Sequence, residues 1–387
     1  MKHIFYKPFL AYFCGLFNSI VYFYNRKGDE TELADILEIY ADVSFDSECI
    51  HENLYLSLQK GTSSDNDTQN LRSILNNIRS SGTKFVLSLQ PHVVAFDNNT
   101  LYNESKDIFY KDSSGDIYQG SYLGLPVAYP DYTHKNIKGF AENLIKWIHE
   151  KLGEKTISGF VLSENWLQDD SVDEVYNSSF KYYPENINIQ MQYTIPWNLS
   201  TSDDRHDVHM EIHNSYGSLQ YNTLKAVDVS TISATEDISD FFIASASKTF
   251  GDNEPEISDN FNTSWDYFKM YLDKILFSSI TGDYMVGLPI CGDTDTYNKI
   301  LHESLCIRWY EAAATMPYFR VSSGDPYRDP SNLNTNYSTD LVRKIIERRK
   351  MLQDYYYTII TTSLPLVRPL YFDYFNDTAT FFLEGCV

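Results

Sequence analysis

The sequence predicts a parallel α/β fold, either a closed barrel or a doubly wound sheet, on three observations. Short apolar runs of strand length alternate with helical segments along all 387 residues, which is the pattern of repeated βα units. No repeat, low-complexity tract or linker interrupts the alternation, so residues 1–363 read as one domain. The chain is long enough to bury the sizeable core that such a domain needs.

The candidate strands are 36–45 (ILEIYADVSF), 83–91 (TKFVLSLQP), 157–163 (ISGFVLS), 187–193 (INIQMQY), 206–212 (HDVHMEI), 240–246 (DFFIASA), 283–289 (DYMVGLP) and 318–323 (YFRVSS). Between them, TQNLRSILNNIRSSG, NIKGFAENLIKWIHEKLG, SWDYFKMYLDKILFSSI and STDLVRKIIERRKMLQDYYYTIITT place apolar residues three and four apart, so each can cover one face of a sheet. Gly82 and Gly153 stop the first two of these helices.

At the N-terminus, basic residues precede an apolar run, Pro8 to Tyr24. That is the layout of a secretory leader, but no small-x-small cleavage site closes it. Asn18 and Ser19 interrupt the run, which argues against a membrane-spanning helix. The favoured reading is the first strand of the fold. Beyond Leu364 the sequence alternates apolar and polar residues and reads as the opening of a β domain over 364–387.

The balance of 31 basic against 53 acidic residues, net −22, excludes nucleic acid and anionic membrane as partners by repulsion. Aromatic content is 15%, with 31 Tyr and 23 Phe; sugar-binding clefts favour such residues, and a general bias toward Tyr and Asn accounts for it equally. Five Cys without a C-x-x-C do not make a zinc ribbon or a disulfide framework. Sequons begin at Asn66, Asn98, Asn103, Asn177, Asn198, Asn262, Asn336 and Asn376, which points to glycosylation and a secreted or endomembrane location, whether extracellular, lysosomal or ER.

No phosphate-binding glycine loop, dinucleotide fingerprint, serine-hydrolase elbow or calcium loop is present, so no cofactor is implied. The stretch RHDVHMEIHN gathers His206, His209 and His213. Read as a strand, it puts His209, Glu211 and His213 on one face and His206 on the other. Read as a helix, it would stripe the three histidines at i, i+3 and i+7, but His213 belongs to the separate stretch HNSYG, so no metal site is expected.

Five stretches in order resemble glycoside hydrolase family 31, the α-glucosidase family. They are YPDYT at 129–133, HNSYG at 213–217, VGLPICG at 286–292, RWYEAAATMPYFR at 308–320 and RPLYFDYFND at 368–377. The resemblance covers roughly residues 36–387 and implies a (β/α)8 TIM barrel with the start of a C-terminal β domain. The family's N-terminal β-sandwich has no counterpart in it.

Retaining glycosidases of this kind need two carboxyl groups about 5 Å apart. The resemblance puts the family's nucleophile, an aspartate at the end of the fourth strand, on Ser163 of SGFVLSENW. A serine hydroxyl there has no charge to stabilise an oxocarbenium-like centre and no base in the motif to activate it. Glu164 is the possible rescue, but alternation along a strand turns it away from the pocket unless the strand end is bulged. Asp169 and Asp170 are the other carboxylates within reach along the chain.

The family's acid/base aspartate falls on Asp259 of ISDNFNTSW, which could instead cap the following helix. Among expected sugar-binding positions, Arg320 is retained and Trp166 lies beside the nucleophile position. Three others fall on Ser247, with Lys248 next to it, on Pro289 and on Ser322, and the second-strand aspartate falls on Val43, between Asp42 and Asp46. Cys291 and Cys306 match a pair that animal members join as a disulfide. The resemblance therefore implies a catalytically inactive homologue that binds a neutral oligosaccharide or glycan or serves structurally. The alternative is an active retaining α-glycosidase using Asp259 and a relocated carboxylate.

Overall fold

A computed structural model describes residues 20–24, 47–50, 53–60, 65–80, 84–112, 114–171, 194–196, 199, 209–235, 241–245, 264–282, 286–291, 299–323, 333, 335–362 and 364–381. In chain order the strands are β1 (Ile20–Tyr24), β2 (Ser47–Ile50), β3 (Lys84–Leu89), β4 (Val93–Val94), β5 (Gly120–Tyr122), β6 (Leu125–Ala128), β7 (Gly159–Leu162), β8 (Phe242–Ser245), β9 (Gly287–Ile290) and β10 (Tyr318–Ser323). The main helices are α1 (Asn53–Gln59), α2 (Asp65–Ser80), α3 (Ile137–Leu152), α4 (Tyr216–Lys225), α5 (Trp265–Thr281), α6 (Lys299–Ala313), α7 (Asn336–Met351) and α8 (Gln353–Thr361).

Seven strands form one all-parallel sheet in the order β8-β7-β3-β2-β1-β10-β9. The order is cyclic: the first strand lies beside the last, with Ile20 opposite Phe319. A doubly wound sheet reverses its order at a switch point and leaves its first and last strands apart, whereas a barrel closes first onto last. The sheet is thus that of a (β/α)8 barrel, with seven of its eight positions among the described residues. The apolar run near the N-terminus supplies β1, as the first-strand reading expected.

The strands expected at 83–91, 157–163, 240–246 and 318–323 are present within about two residues, and the one expected at 283–289 is β9, Gly287–Ile290, with residues 283–285 outside the described residues. The candidates at 36–45 and 187–193 lie outside the described residues, and β2 falls just after the first of them. The candidate at 206–212 is corrected: residues 209–212 are helical and run through a 3-10 turn at 213–215 into α4. Because β7 pairs directly with β8, the sheet has no place between them for that strand. The burial of Tyr216, Gln220, Tyr221 and Leu224 instead follows helical spacing.

Helix boundaries follow the local chemistry. Gly153, at φ 95°, ends α3, and Gly282, at φ 89°, ends α5 in the left-handed region. Ser264 caps α5 by accepting from Tyr267 N–H at 3.2 Å, and Thr335 caps α7 by accepting from Ser338 N–H at 3.1 Å. No helix among the described residues is long and apolar enough to cross a membrane. Residues 364–381 contain two 3-10 turns, Leu370–Phe372 and Thr378–Phe381, where alternation suggested strands.

Two apolar clusters fill the interior. One gathers Leu75, Leu87, Leu89, Ile148, Phe160 and Leu162 between the sheet and helices α2 and α3. The other packs Trp309, Tyr310 and Phe319 around a Cys291–Cys306 disulfide, Cα atoms 4.6 Å apart, tying the end of β9 to α6. Closing this loop stabilises by roughly 3 kcal/mol. Beside it the buried Arg349 guanidinium donates to the carbonyls of Ala314, Met316 and Pro317 at 2.7–3.0 Å and lies over the rings of Phe319 and Tyr356. This arginine satisfies carbonyls that the end of α6 leaves without helical partners.

Adjacent strands approach closely at Gly159, where a Cβ would collide with the carbonyl of Phe242 in β8. Gly159→Ala is expected to destabilise the protein by roughly 1–3 kcal/mol through a forced backbone shift. Urea denaturation checks this; an unchanged midpoint refutes the close approach.

Candidate active site

The site is built where β7 ends, on the carboxyl-terminal side of the sheet, where barrels of this type place their chemistry. The register sets Val161 beside Ser88 of β3 and Ala244 of β8. Two residues past Val161, the Ser163 N–H donates to Leu89 O at 3.1 Å. The Ser163 hydroxyl shares a hydrogen bond of 2.9 Å with Ser88 Oγ and accepts from Gln90 Nε2 at 3.3 Å. Asn165 reaches the other way, donating to Ser245 Oγ at 2.9 Å. Ser163 and Asn165 thus lace the end of β7 to both neighbouring strands, and both are buried.

Between them stands Glu164, at φ 50° in the left-handed region. The sequence offered two orientations for its side chain, away from the pocket or into it by a bulge. In the structure the left-handed turn carries the carboxylate to a hairpin, where it accepts from the Tyr122 hydroxyl. A non-glycine residue in this region costs on the order of 1 kcal/mol or more, which the buried hydrogen bond offsets.

The hairpin belongs to a small antiparallel sheet, β4-β6-β5, in the connection from β3 to α3. Its turn uses Leu123 at φ 49° and Gly124 at φ 73°, positive at both central residues as two-residue hairpin turns require. Leu-Gly is not the usual Asn-Gly signature of that turn, which is why the sequence did not disclose it. A clasp of side chains holds the hairpin on residues 164–171. Asp169, wholly buried, accepts from Tyr118 Oη at 2.8 Å, Ser121 N at 3.0 Å, and Ser171 N and Oγ at 2.9 and 2.6 Å. Asp170 accepts from Leu123 N at 2.8 Å.

His92 stacks on Tyr122 with ring centroids 4.1 Å apart, and its Nε2 lies 2.8 Å from Gln168 O, which also accepts from Tyr129 Oη at 2.9 Å. Burial, then the Asp169 charge, pushes the Tyr129 hydroxyl far up, so it remains a donor at any ordinary pH. Tyr118, Tyr122 and His92 are the site residues that sequence reasoning missed, since each comes from a loop excursion with no periodic signal.

The other expected residues divide. Trp166 is partly buried, with its carbonyl 3.4 Å from Thr194 Oγ1. Asp259 and Ser247 lie outside the described residues, as do the side chains of Arg320 and Ser322. The backbone register sets Arg320 beside Val21 and Pro289, and Ser322 beside Phe23. With Ser264 as the cap of α5, Asp259 is not needed in that role. Among the sequons, Asn98, Asn103 and Asn376 are exposed.

YPDYT and HNSYG meet in space: Tyr216 Oη donates to Pro130 O at 2.8 Å, and its ring packs edge-on against Tyr132 at 5.2 Å. Asp131, wholly buried, accepts from Thr133 N at 2.8 Å and Oγ1 at 2.6 Å. One helical turn ahead of Tyr216, His213 Nδ1 lies 2.9 Å from His209 Nε2. Burial, then the neighbouring His213, holds the His209 imidazole down to about 3, with the Pro196 and Ile195 carbonyls pulling the other way. Burial also lowers His213. Among the described residues no group of three or more His, Cys, Asp or Glu converges on a common point.

Residues 11–359 match the TIM-barrel domain of glycosyl hydrolases family 31. Mouse neutral alpha-glucosidase C is 25% identical over 329 residues, 79% of this chain and 32% of that protein. A probable glucan 1,3-alpha-glucosidase from Arabidopsis thaliana is 27% identical over 312 residues, 78% of this chain and 30% of that protein. A glucosidase II alpha subunit solved with alpha3-Glc2 superposes with a TM-score of 0.73 at 16% identity, covering 96% of this chain and 38% of the other. The family 31 alpha-glucosidase of Bacteroides thetaiotaomicron gives 0.69 at 17% identity, covering 97% and 61%.

A cyclic parallel sheet with polar residues at the carboxyl ends of its strands defines a (β/α)8 barrel of the enzyme type. The chain belongs to glycosyl hydrolases family 31 and is α-glucosidase-like. It spans about a third of the length of the curated relatives it matches.

Two outcomes are expected. Tyr122→Phe leaves the buried Glu164 carboxylate without this donor and lowers stability by about 1–3 kcal/mol, whereas Tyr102→Phe, outside the clasp, changes it little; equal small effects in urea denaturation would refute the clasp. His209 follows from linkage. Its folded value of about 3 lies below the ordinary 6.5, so between those limits the unfolded chain binds a proton that the folded chain does not. Stability is full above pH 6.5 and falls as the pH drops through this window, by up to about 1.4 kcal/mol per pH unit. Denaturation curves at pH 7, 5.5 and 4.5, with a shallower slope in His209→Gln, check it.

Proposed function

We propose that this chain is a family 31 barrel that has given up double-displacement hydrolysis and retains a role in binding a neutral oligosaccharide or glycan. The observation that carries the reading is Ser163: the residue at the nucleophile position is an uncharged hydroxyl, committed to Ser88 and Gln90. A neutral, hydrogen-bonded oxygen neither attacks an anomeric carbon unaided nor stabilises positive charge at it. The neighbouring carboxylates support the reading, since Glu164, Asp169 and Asp170 each serve the hairpin clasp. An active enzyme would have to release one of them to work opposite Asp259.

The reading extends to location and organisation. The Cys291–Cys306 disulfide fits an oxidising compartment, and the exposed Asn98, Asn103 and Asn376 are the sequons best placed to carry glycans in a secreted or endomembrane protein. Residues 364–387 open a C-terminal β domain by resemblance. The exposed Tyr371, Phe372, Tyr374 and Phe375 are the kind of apolar surface that such a domain buries.

Purified protein is expected to show no turnover of an aryl α-glucoside or maltose above an Asp259→Ala control, while isothermal titration with maltooligosaccharides registers binding. Turnover by the unmodified protein that Asp259→Ala abolishes would reject the reading in favour of an active α-glycosidase.

A further inference from the structure

The histidines at 209 and 213 of RHDVHMEIHN lie on a helical stretch and not on the strand first expected for 206–212. Residues 209–215 are helical, so His209 and His213 stand four apart on one face. Their facing nitrogens, Nε2 and Nδ1, are 2.9 Å apart. Two Zn–N bonds of about 2.0 Å at a tetrahedral angle place the nitrogens about 3.3 Å apart, so a small rotation of one ring converts the contact into a chelate. We propose that His209 and His213 form a two-nitrogen site for a borderline divalent transition cation such as Zn2+, with solvent completing the coordination sphere.

Access and support both suit the proposal. His209 is wholly buried while His213 is partly exposed, so an ion enters from the His213 side and meets a ring already held in place. The main-chain N–H of His209 donates to Leu199 O at 3.0 Å, and the carbonyls of Ile195 and Pro196 lie beside its ring. Carbonyls of this kind commonly orient a ligating imidazole. Tyr110 packs edge-on at 6.2 Å on the opposite side. Whichever ring carries the shared proton can shift it to its outer nitrogen, toward the carbonyls for His209 or toward solvent for His213, so binding needs no net change in protonation. A ligand set of imidazole favours zinc, copper or nickel over calcium or magnesium.

The site lies apart from the hairpin clasp, so its test is independent of glycosidase activity. Adding ZnCl2 to the purified full chain is expected to raise its melting temperature by several degrees in an EDTA-reversible manner, and Co2+ is expected to give a tetrahedral visible absorption band. Both effects are lost in His213→Gln. No melting shift in the wild type, or a shift and a cobalt band that survive in His213→Gln, overturns the proposal. Should His213→Gln fail to fold, the wild type decides. Substoichiometric Cu2+ is expected to broaden two of its imidazole proton resonances before the other seven of nine histidines, and uniform or absent broadening refutes the site.

Discussion

At the end of β7 the chain turns through a left-handed residue, Glu164, and the arrangement of the barrel mouth depends on where that turn sends its carboxylate. Taken under the β5–β6 hairpin and met there by Tyr122, a buried charge that would be costly in isolation becomes a fastening point. With Glu164 fixed, Ser163 and Asn165 on either side reach the neighbouring strand ends at Ser88 and Ser245. Asp169 and Asp170 extend the same fastening along the hairpin. Three acidic side chains thereby hold one loop against the end of β7.

The stretches that carry the family resemblance do physical work away from chemistry. YPDYT and HNSYG are joined by the Tyr216–Pro130 hydrogen bond and the Tyr132–Tyr216 ring contact, which pins α4 to the connection ahead of α3. RWYEAAATMPYFR supplies Trp309, Tyr310 and Phe319 to the second core cluster, and Arg349 closes the open carbonyls after α6. In RPLYFDYFND, Arg368 donates to both oxygens of Asp373, Nε to Oδ2 at 3.1 Å and Nη2 to Oδ1 at 3.0 Å. The Tyr216 contacts and the second core cluster join elements distant in the chain, a packing role that does not depend on any reacting group.

Much of the barrel was legible because a strand buried on both faces needs a continuous apolar run and a covering helix needs period 3.6, and both are local properties. TKFVLSLQP and YFRVSS became strands for that reason, and NIKGFAENLIKWIHEKLG became α3 with Gly153 at its end. HDVHMEI failed because alternation over seven residues fits a strand or a helix end alike, and only the direct pairing of β7 with β8 excludes the strand. The hairpin with Tyr118 and Tyr122 was invisible for a different reason. Its turn relies on Leu123 at positive φ, a strain that partners elsewhere in the fold sustain and that composition does not announce.

The sequence by itself determined the parallel α/β class and the pairing partners Cys291 and Cys306, since these rest on residue identity, local period and family resemblance. The tertiary structure decided that the sheet closes first strand onto last, that Glu164 faces Tyr122, and that His209 meets His213. Those outcomes depend on which distant segments arrive beside one another and on backbone angles at single residues, and neither is encoded in the few residues around any one position.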